Sequence, residues 1–275
     1  MSEPSEKVHL HYGVGGVLDS ILRALSEIGK DLKQLKPEDL GPIDQFHVGG
    51  RKATKELANL AGLRRGCRVL DVGCGLGGAA RYLAEEWGCQ STGLDTTQEY
   101  VETARALTGM VGLSAKVEFM QGSALEMPFA DGSFEVVWTQ HAQMNVADKR
   151  RFYSEIIRVL RPGGRLVFHD VLQGEGGEPH YPLPWADDPS MSFLITAESL
   201  RRLLLEAGLS ILSWEDQSQQ SLDWFAAAEE RKRSGRPLLG LHLLMGRNAK
   251  LKSQNLLRNL QEKRIMVLQG LAEKL

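Results

Sequence analysis

The sequence is poor in cysteine, and this scarcity excludes two common ways of stabilising a fold. Cys67, Cys74 and Cys89 are its only cysteines among 275 residues, and no two of them have CxxC spacing. An odd number of thiols in apolar or glycine-rich surroundings favours neither a disulfide framework nor a zinc site. We therefore expect no metal site, and we expect a reducing, cytoplasmic compartment.

Long apolar runs and an excess of basic residues are also missing. No stretch approaches the roughly 18 consecutive apolar residues of a membrane-spanning helix. The first residues, MSEPSEKVHLHY, lack the apolar segment of an export signal. The chain has 33 Lys and Arg against 35 Asp and Glu, a net charge of −2. We therefore expect neither a membrane nor a nucleic-acid partner, because holding nucleic acid requires basic residues that neutralise phosphates.

The N-terminal residues 1–63 have the pattern of a helical lid. A second helix is predicted between the glycine pair Gly49–Gly50 and Gly62, after the helix breakers Pro37 and Pro42. Before it, apolar residues spaced three and four apart predict one helical face. These residues are Val17, Ile21, Leu22, Leu25, Ile28, Leu32 and Leu35.

From residue 64 to residue 275 the pattern becomes that of one α/β domain. Short apolar or β-branched runs alternate with helical stretches, which indicates βαβ units and a doubly wound, mostly parallel sheet. The predicted strands are RVLDV, STGLD, KVEFMQ, FEVVWT, RLVFHD and LSILSW. Two segments, at about 171–195 and 214–250, interrupt the alternation and are interpreted as cap insertions after strands five and six. Near the end, IMVLQGL is either a seventh strand or further helix.

The most informative motif is a glycine-rich turn between the first strand and the following helix, in VLDVGCGLGGAARYLA. Glycines allow a sharp turn and let a ligand approach the N–H groups at a helix start. Asp95 ends the second strand, where a carboxylate can accept hydrogen bonds from both hydroxyls of a ribose. The same glycines also fit the GxGxxG spacing of dinucleotide-binding oxidoreductases. Asp71 favours a different ligand, because a carboxylate would repel a pyrophosphate but attract the ammonium of an amino-acid-bearing nucleoside.

Over about residues 64–215 the chain resembles the class I S-adenosylmethionine-dependent methyltransferases. Four segments carry the resemblance, namely DVGCGLGG, LDTT, GSALEMPFADGSFEVVWTQ and RVLRPGGRLVFHD. It implies a Rossmann-like methyltransferase fold, S-adenosylmethionine as cofactor and S-adenosylhomocysteine as product. Ser123 stands where the family usually has an aspartate that binds the adenine amino group. The implied cofactor-binding residues are Asp71, Gly73, Gly75, Gly77, Asp95, Thr96, Ser123, Ala124, Leu125 and Gln140.

Catalytic residues are expected after strands four and five, because ligands bind beyond the carboxyl ends of the strands in an open α/β sheet. The predicted catalytic residues are Gln140, His141 and Asn145, which form a polar cluster in WTQHAQMNV. His141 is either a group that accepts a proton from the acceptor or a structural histidine, and Asn145 is either functional or a turn or capping residue ahead of the next helix.

Aromatic and histidine residues from other segments are predicted to line the substrate site. The candidates are Tyr12, His47, His169, Tyr181 and Trp185. Residues 117–148 and 166–200 contain neither Lys nor Arg, so the mouth of this site is expected to be neutral or acidic.

The predicted function is methyl transfer to a small molecule by a monomer or homodimer. The segment QHA resembles the Gln-Asp-Ala of the sarcosine and dimethylglycine N-methyltransferases, which favours an amine nitrogen. The chain also resembles the ubiquinone and menaquinone biosynthesis C-methyltransferases, so the alternative is O- or C-methylation of a phenol, quinol or other apolar metabolite. Outside this class, an NAD-binding oxidoreductase and an inactive cofactor-binding module stay open.

Overall fold

The computed structural model describes residues 11–13, 15–232 and 239–275. Its N-terminal part contains helices α1 (Val17–Glu27), α2 (Pro37–Asp44) and α3 (Gly50–Ala61). Helix α3 confirms the helix predicted between Gly49 and Gly62, and both of these glycines have left-handed backbone angles.

The prediction of one helical face as far as Leu35 is wrong beyond Glu27. Gly29 adopts a φ of +79°, which ends α1 two residues earlier. Leu35 is still buried in the same apolar cluster as α1, so its apolar character reflects packing rather than helix. The segment that follows was also predicted to break helices, yet α2 begins with Pro37 at its first position, where the missing N–H costs nothing.

The rest of the chain forms a seven-stranded sheet in the order β3-β2-β1-β4-β5-β7-β6. Strand β7 is antiparallel to both of its neighbours, so IMVLQGL belongs to a strand, and the other pairs are parallel. The mostly parallel α/β fold predicted from the sequence is confirmed. The elements are β1 (Arg68–Val72), α4 (Gly78–Glu86), β2 (Gln90–Asp95), α5 (Gln98–Met110), β3 (Val117–Gln121), β4 (Phe134–Gln140), α6 (Lys149–Val159), β5 (Leu160–Gln173), α7 (Ala197–Glu206), β6 (Leu209–Asp216), α8 (Ser218–Lys232), α9 (His242–Met245), α10 (Ala249–Gln261) and β7 (Ile265–Lys274).

The strand order reverses between β1 and β4, and this reversal opens a crevice at the carboxyl ends of these two strands. The two predicted cap segments overlap the sheet slightly, because β5 continues to Gln173 and β6 to Asp216. Beyond these ends, the first segment is irregular apart from one short 3-10 turn, Pro189–Met191, and the second contains α8 and α9.

A buried ion pair fixes the N-terminal segment to the glycine-rich turn. Arg81 donates to Asp44 Oδ2 at 2.9 Å and to Thr108 Oγ1 at 3.1 Å, and the Arg81 and Asp44 side chains are 1% and 4% exposed. Gly78 lies so close to the Asp44 carbonyl that a Cβ there would be 2.0 Å from its oxygen. The start of α4 therefore packs directly against the end of α2.

We predict that Asp44→Ala lowers the free energy of unfolding by about 3–5 kcal/mol, since the Arg81 guanidinium would stay buried without its counter-charge. Chemical denaturation measures this change. Glu38→Ala in the same helix is the control, because Glu38 is exposed, and it is expected to cost less than about 1 kcal/mol. Equal losses in the two variants would contradict a structural role for the pair.

Candidate active site

A cavity of about 430 Å³ occupies the crevice at the carboxyl ends of β1, β2 and β4. It collects most of the residues that the sequence marked, although they come from distant parts of the chain. Those that line it are Tyr12, His47, Asp71, Gly73, Gly75, Asp95, Thr96, Ser123, Ala124, Leu125, Gln140, His141, Asn145 and Trp185.

The glycine-rich turn is held by hydrogen bonds to the end of β2. Gly75 N–H donates to Asp95 Oδ2 and Thr97 N–H donates to Asp95 Oδ1, each at 2.9 Å. Gly73 has a φ of +75°, and a Cβ there would lie 2.5 Å from the Cβ of Ala142. The turn thus depends on glycine for its backbone angle and on Asp95 for its position. It leaves an open cradle at the start of α4.

Two carboxylates face this cradle from β1 and β2. Burial, followed by the charge of Asp95, raises the pKa of Asp71 to about 7, and burial also raises the pKa of Asp95. Asp71 Oδ2 is buried and has no hydrogen-bond partner among the described residues. A cationic ligand group next to Asp71 would relieve this cost, because it would favour the ionised carboxylate.

At the other end of the cradle the lining is suited to a flat heterocycle. Ser123, Ala124 and Leu125 line one side, and Phe152 extends the apolar surface. The Ser123 hydroxyl oxygen accepts a hydrogen bond from Leu125 N–H at 3.1 Å, which leaves its O–H free to donate to a ligand.

Three histidines come together beside the cavity. The His141 and His169 rings are stacked, with centroids 5.3 Å apart and planes 4° from parallel, and His47 lies 6.0 Å from each. Burial lowers the pKa of His47 to about 4 and that of His169 to about 3, and it lowers the pKa of His141 well below 6.5. All three imidazoles are therefore neutral at pH 7. Within the described ranges no cluster of His, Cys, Asp and Glu is arranged to hold a metal ion.

His141 also has an unusual backbone. Its φ of +51° lies in the left-handed region, and its N–H donates to the His169 carbonyl at 3.0 Å. Asp170 accepts from the next two N–H groups, at 2.9 and 3.4 Å, which fixes the turn. The His141 Nε2 atom has no partner among the described residues. Strained residues that are held this firmly cluster at functional sites.

Asn145 connects three segments around the cavity. Its Oδ1 accepts from Tyr12 O–H at 3.0 Å, and its Nδ2 donates to the Trp185 carbonyl at 2.8 Å and to that of Met191 at 3.2 Å. Asn145 ends the short 3-10 turn Gln143–Asn145, in agreement with its interpretation as a turn residue, whereas the cap of α6 is Asp148, which accepts from Arg151 N–H. With its amide engaged at both ends, Asn145 positions Tyr12 and the first cap segment.

Three of the marked residues do not line the cavity. Gly77 forms the start of α4, with the ring of Phe119 where a Cβ would lie. His169 lies behind His141 and lines a second cavity of about 250 Å³ between α3 and α8. Tyr181 lies in the first cap segment and packs on its apolar cluster. Their predicted roles in binding stay untested.

An apolar part of the lining was not predicted from the sequence. No local pattern marks these residues as lining a cavity, because most of them reach it only through packing of the second cap segment and α10. They are Met144, Trp224, Phe225, Leu241, Leu244, Met245 and Leu256. No Lys or Arg of the described residues lines the cavity, in agreement with the basic-free loops seen in the sequence. No helix in the described part of the chain is long and apolar enough to span a membrane.

Comparison with known proteins adds independent information. Residues 70–168 match the family model described as a methyltransferase domain. A probable chloroplastic tocopherol O-methyltransferase of Oryza sativa subsp. japonica is 46% identical over 99 residues, which are 36% of this chain and 27% of that protein. Methyltransferase GfsG of Streptomyces halstedii is 33% identical over 190 residues, 66% of this chain and 67% of that protein.

Among solved structures, phosphoethanolamine N-methyltransferase 2 of Haemonchus contortus in complex with S-adenosyl-L-methionine has a TM-score of 0.75 at 20% identity. The match covers 97% of this chain and 60% of that one. The similarity in fold to that structure therefore spans nearly the whole chain. The matched part of this chain spans 27% of the length of the rice protein, 67% of that of GfsG and 60% of that of the Haemonchus contortus enzyme.

Proposed function

The chain belongs to the class I S-adenosylmethionine-dependent methyltransferases, and from this premise we propose that it methylates a hydroxyl oxygen of a small, uncharged and mostly apolar metabolite. The observation that carries this choice of acceptor is a cavity lined mostly by apolar side chains, with four aspartates but without a basic residue from the described part of the chain, beside the neutral imidazole of His141.

The cradle fits S-adenosylmethionine, which supplies a methyl group on a positively charged sulfur. Asp95 accepts from the ribose hydroxyls, as the resemblance implies, and the unpartnered oxygen of Asp71 attracts the ammonium. Ser123 and Leu125 flank the adenine. These residues would serve the ribose, the ammonium and the adenine of the cofactor, and NAD is disfavoured because a pyrophosphate would face the Asp71 carboxylate.

The charge of the lining separates the possible acceptors. Glycine, sarcosine and dimethylglycine carry a carboxylate, and burying it without a Lys or Arg nearby would be costly. Phenols and quinols carry no charge, and the side chains of Phe46, Met144, Trp185 and Trp224 offer apolar surface to their rings.

In this proposal His141 removes the acceptor proton. Its Nε2 is unpartnered in the described structure, and its lowered pKa keeps the ring neutral, so a lone pair is available at pH 7. A hydroxyl that donates to this lone pair gains nucleophilic character on its oxygen as the methyl group is transferred. Because burial lowers the pKa of His141, the protonated imidazole then releases this proton readily.

An amine nitrogen, which the sequence favoured, is the second candidate. The rings of Tyr12, Phe46, Trp185 and Trp224 line the cavity and can face a cationic methylated amine. This observation favours an amine without a carboxylate.

Release of S-adenosylhomocysteine tests the proposal directly. The protein is incubated with S-adenosylmethionine and, separately, with a panel of phenols, a panel of quinols, glycine, sarcosine, dimethylglycine and apolar tertiary amines. We expect release with phenols or quinols. Release with amines alone would contradict a hydroxyl acceptor. No release with any of these compounds would contradict methyl transfer to both a hydroxyl oxygen and an amine nitrogen.

Binding of S-adenosylmethionine is predicted to weaken as the pH falls below 7. Asp71, with a pKa raised to about 7 by burial, is ionised above this pH and gains a proton below it. The proton competes with the ligand's ammonium, so Kd is expected to rise by up to about tenfold per pH unit below 7. Calorimetric titration between pH 5.5 and 8 measures the slope. Asp71→Asn is expected to bind weakly at every pH without this slope, and a slope that persists in the variant would assign the titration to another group.

A further inference from the structure

The connecting turn, residues 141–148, joins β4 to α6 and forms one wall of the cavity. All of its residues except Gln143 line the cavity. At its centre is a single 3-10 turn, Gln143–Asn145, with two backbone hydrogen bonds, from Asn145 N–H to the Ala142 carbonyl and from Val146 N–H to the Gln143 carbonyl. So short a turn does not hold its conformation alone. Its shape therefore depends on contacts with other elements.

Two buried polar side chains make these contacts, one at each end of the 3-10 turn. Asp170, from β5, accepts from the N–H groups of Ala142 at 2.9 Å and Gln143 at 3.4 Å. The Nζ of Lys149 donates to the Gln143 carbonyl at 2.6 Å and also to the Val146 carbonyl. The carboxylate thus meets the free N–H groups and the amine meets the free carbonyls, which is the arrangement that the dipole of the turn favours.

The position of Lys149 is not explained by its own helix. Lys149 is the first residue of α6, where a cation opposes the helix dipole, and it is only 7% exposed. Burial lowers the pKa of Lys149 to about 7, although the charge of Asp170 opposes this shift. The next residue, Arg150, is exposed and pairs with Glu206 at 3.2 Å. Burying an amine at this helix end costs free energy, and the two carbonyls of the connecting turn are the contacts that offset the cost.

The turn that Lys149 holds carries two residues of the acceptor side of the cavity. Met144 packs on Leu183 and Trp185 in the apolar cluster of the first cap segment. Asn145 binds the Tyr12 hydroxyl and the Trp185 carbonyl, as described above. A shift of the turn would therefore move the cap and the N-terminal segment around the acceptor.

The cofactor cradle is held separately. Its hydrogen bonds run from the N–H groups of Gly75 and Thr97 to Asp95, and none of them involves the connecting turn. Lys149 itself does not line the cavity. Loss of the Lys149 contacts should thus affect the acceptor and spare the cofactor.

We propose that Lys149 is a positioning residue, whose amine holds the 3-10 turn Gln143–Asn145 so that Met144 and Asn145 shape the acceptor side of the cavity. The inference rests on the proposed function, because it assigns the acceptor to this side. It adds a residue that acts from outside the cavity, through the backbone of the connecting turn.

Hydrogen exchange tests the hold on the turn without any acceptor. In Lys149→Met the side chain keeps most of its length and apolar surface but cannot donate. We expect the N–H groups of Asn145 and Val146 to exchange about tenfold faster than in the wild type, the factor that one hydrogen bond contributes. The amides of β1 are expected to exchange at the wild-type rate, which shows that the variant is folded. Arg150→Met is the matched control and is expected to change all of these rates by less than about twofold.

Kinetics test the consequence for the acceptor. With an active phenol or quinol, Lys149→Met is expected to raise the KM of the acceptor by about tenfold, while the Kd of S-adenosylhomocysteine stays within about twofold of the wild type. Lys149→Arg keeps donors for both carbonyls and is expected to bring the KM back to within about threefold of the wild type.

Three results would overturn the positioning role. The first is wild-type exchange at Asn145 and Val146 in Lys149→Met. The second is an equal rise in the KM of the acceptor and the Kd of S-adenosylhomocysteine, since this would indicate general loosening of the fold. The third is a Lys149→Arg variant with the same KM as Lys149→Met, because the donors would then not be what holds the turn.

Failure of the proposed function would give a different result. Faster exchange of the turn in Lys149→Met, without methylation of any phenol or quinol by the wild type, would contradict hydroxyl methylation and still support the hold on the turn. Methylation of a phenol with the same KM in the wild type and in Lys149→Met would support hydroxyl methylation and overturn the positioning role.

Discussion

Replacing Asp95 by asparagine is expected to lower the affinity for S-adenosylmethionine by at least about a hundredfold. The ionised carboxylate can accept from two ribose hydroxyls, and hydrogen bonds to a charged group contribute about 1.5–3 kcal/mol each. The same carboxylate holds the glycine-rich turn through the N–H groups of Gly75 and Thr97. An asparagine has only one accepting oxygen, so it cannot serve both purposes. Calorimetric titration with S-adenosylmethionine measures the loss.

Asp19→Asn is the matched control for this experiment, because Asp19 is exposed in the first turn of α1. Its affinity is expected to stay within about twofold of the wild type. Retention of wild-type affinity in Asp95→Asn would show that the cofactor does not lie in the cradle described above.

Replacing His141 by asparagine is expected to lower kcat by about a hundredfold to ten-thousandfold, the range that a general base contributes. Asparagine is chosen because it tolerates the left-handed backbone angle of this position better than other side chains without a base. Affinity for S-adenosylmethionine is expected to change by less than about twofold, since His141 is proposed to act on the acceptor and not on the cofactor. Steady-state kinetics with an active phenol or quinol, together with calorimetry, separates the two quantities.

His180→Asn controls for the loss of a histidine elsewhere. His180 lies outside the cavity and contacts Glu262 at 2.8 Å, so its removal should leave kcat unchanged. A His141→Asn variant with normal kcat would assign the histidine a structural role, which is the alternative that the sequence left open.

The sequence predicted those parts of the fold that depend on local patterns. Strand β1 matches the predicted RVLDV at both ends, and α3 begins and ends at the glycines that mark it. Asp95 was marked as a cofactor-binding candidate by its place after a strand and its distance from the glycine-rich turn, and its carboxylate contacts that turn. The end of α1 was missed because an apolar residue after a helix can be buried without being helical, as Leu35 is.

The acceptor side of the cavity could not be predicted in the same way. Trp224 and Leu256 reach it from α8 and α10, and nothing in their local spacing distinguishes a residue that lines a cavity from one that fills a core. The orientation of the Gln140 amide depends on the indole of Trp138 and on Thr54 from α3, 86 residues away in the chain. Such contacts exist only once the helix and the strand have packed together.

The central claim is transfer of a methyl group to oxygen, and carbon-13 NMR observes the bond that forms. The protein is supplied with S-adenosylmethionine labelled in its methyl carbon and with an acceptor that supports release of S-adenosylhomocysteine. The chemical shift of the transferred carbon identifies the atom to which it is bound. We predict a methyl ether signal that is lost in His141→Asn. An N-methyl or C-methyl signal would contradict the account.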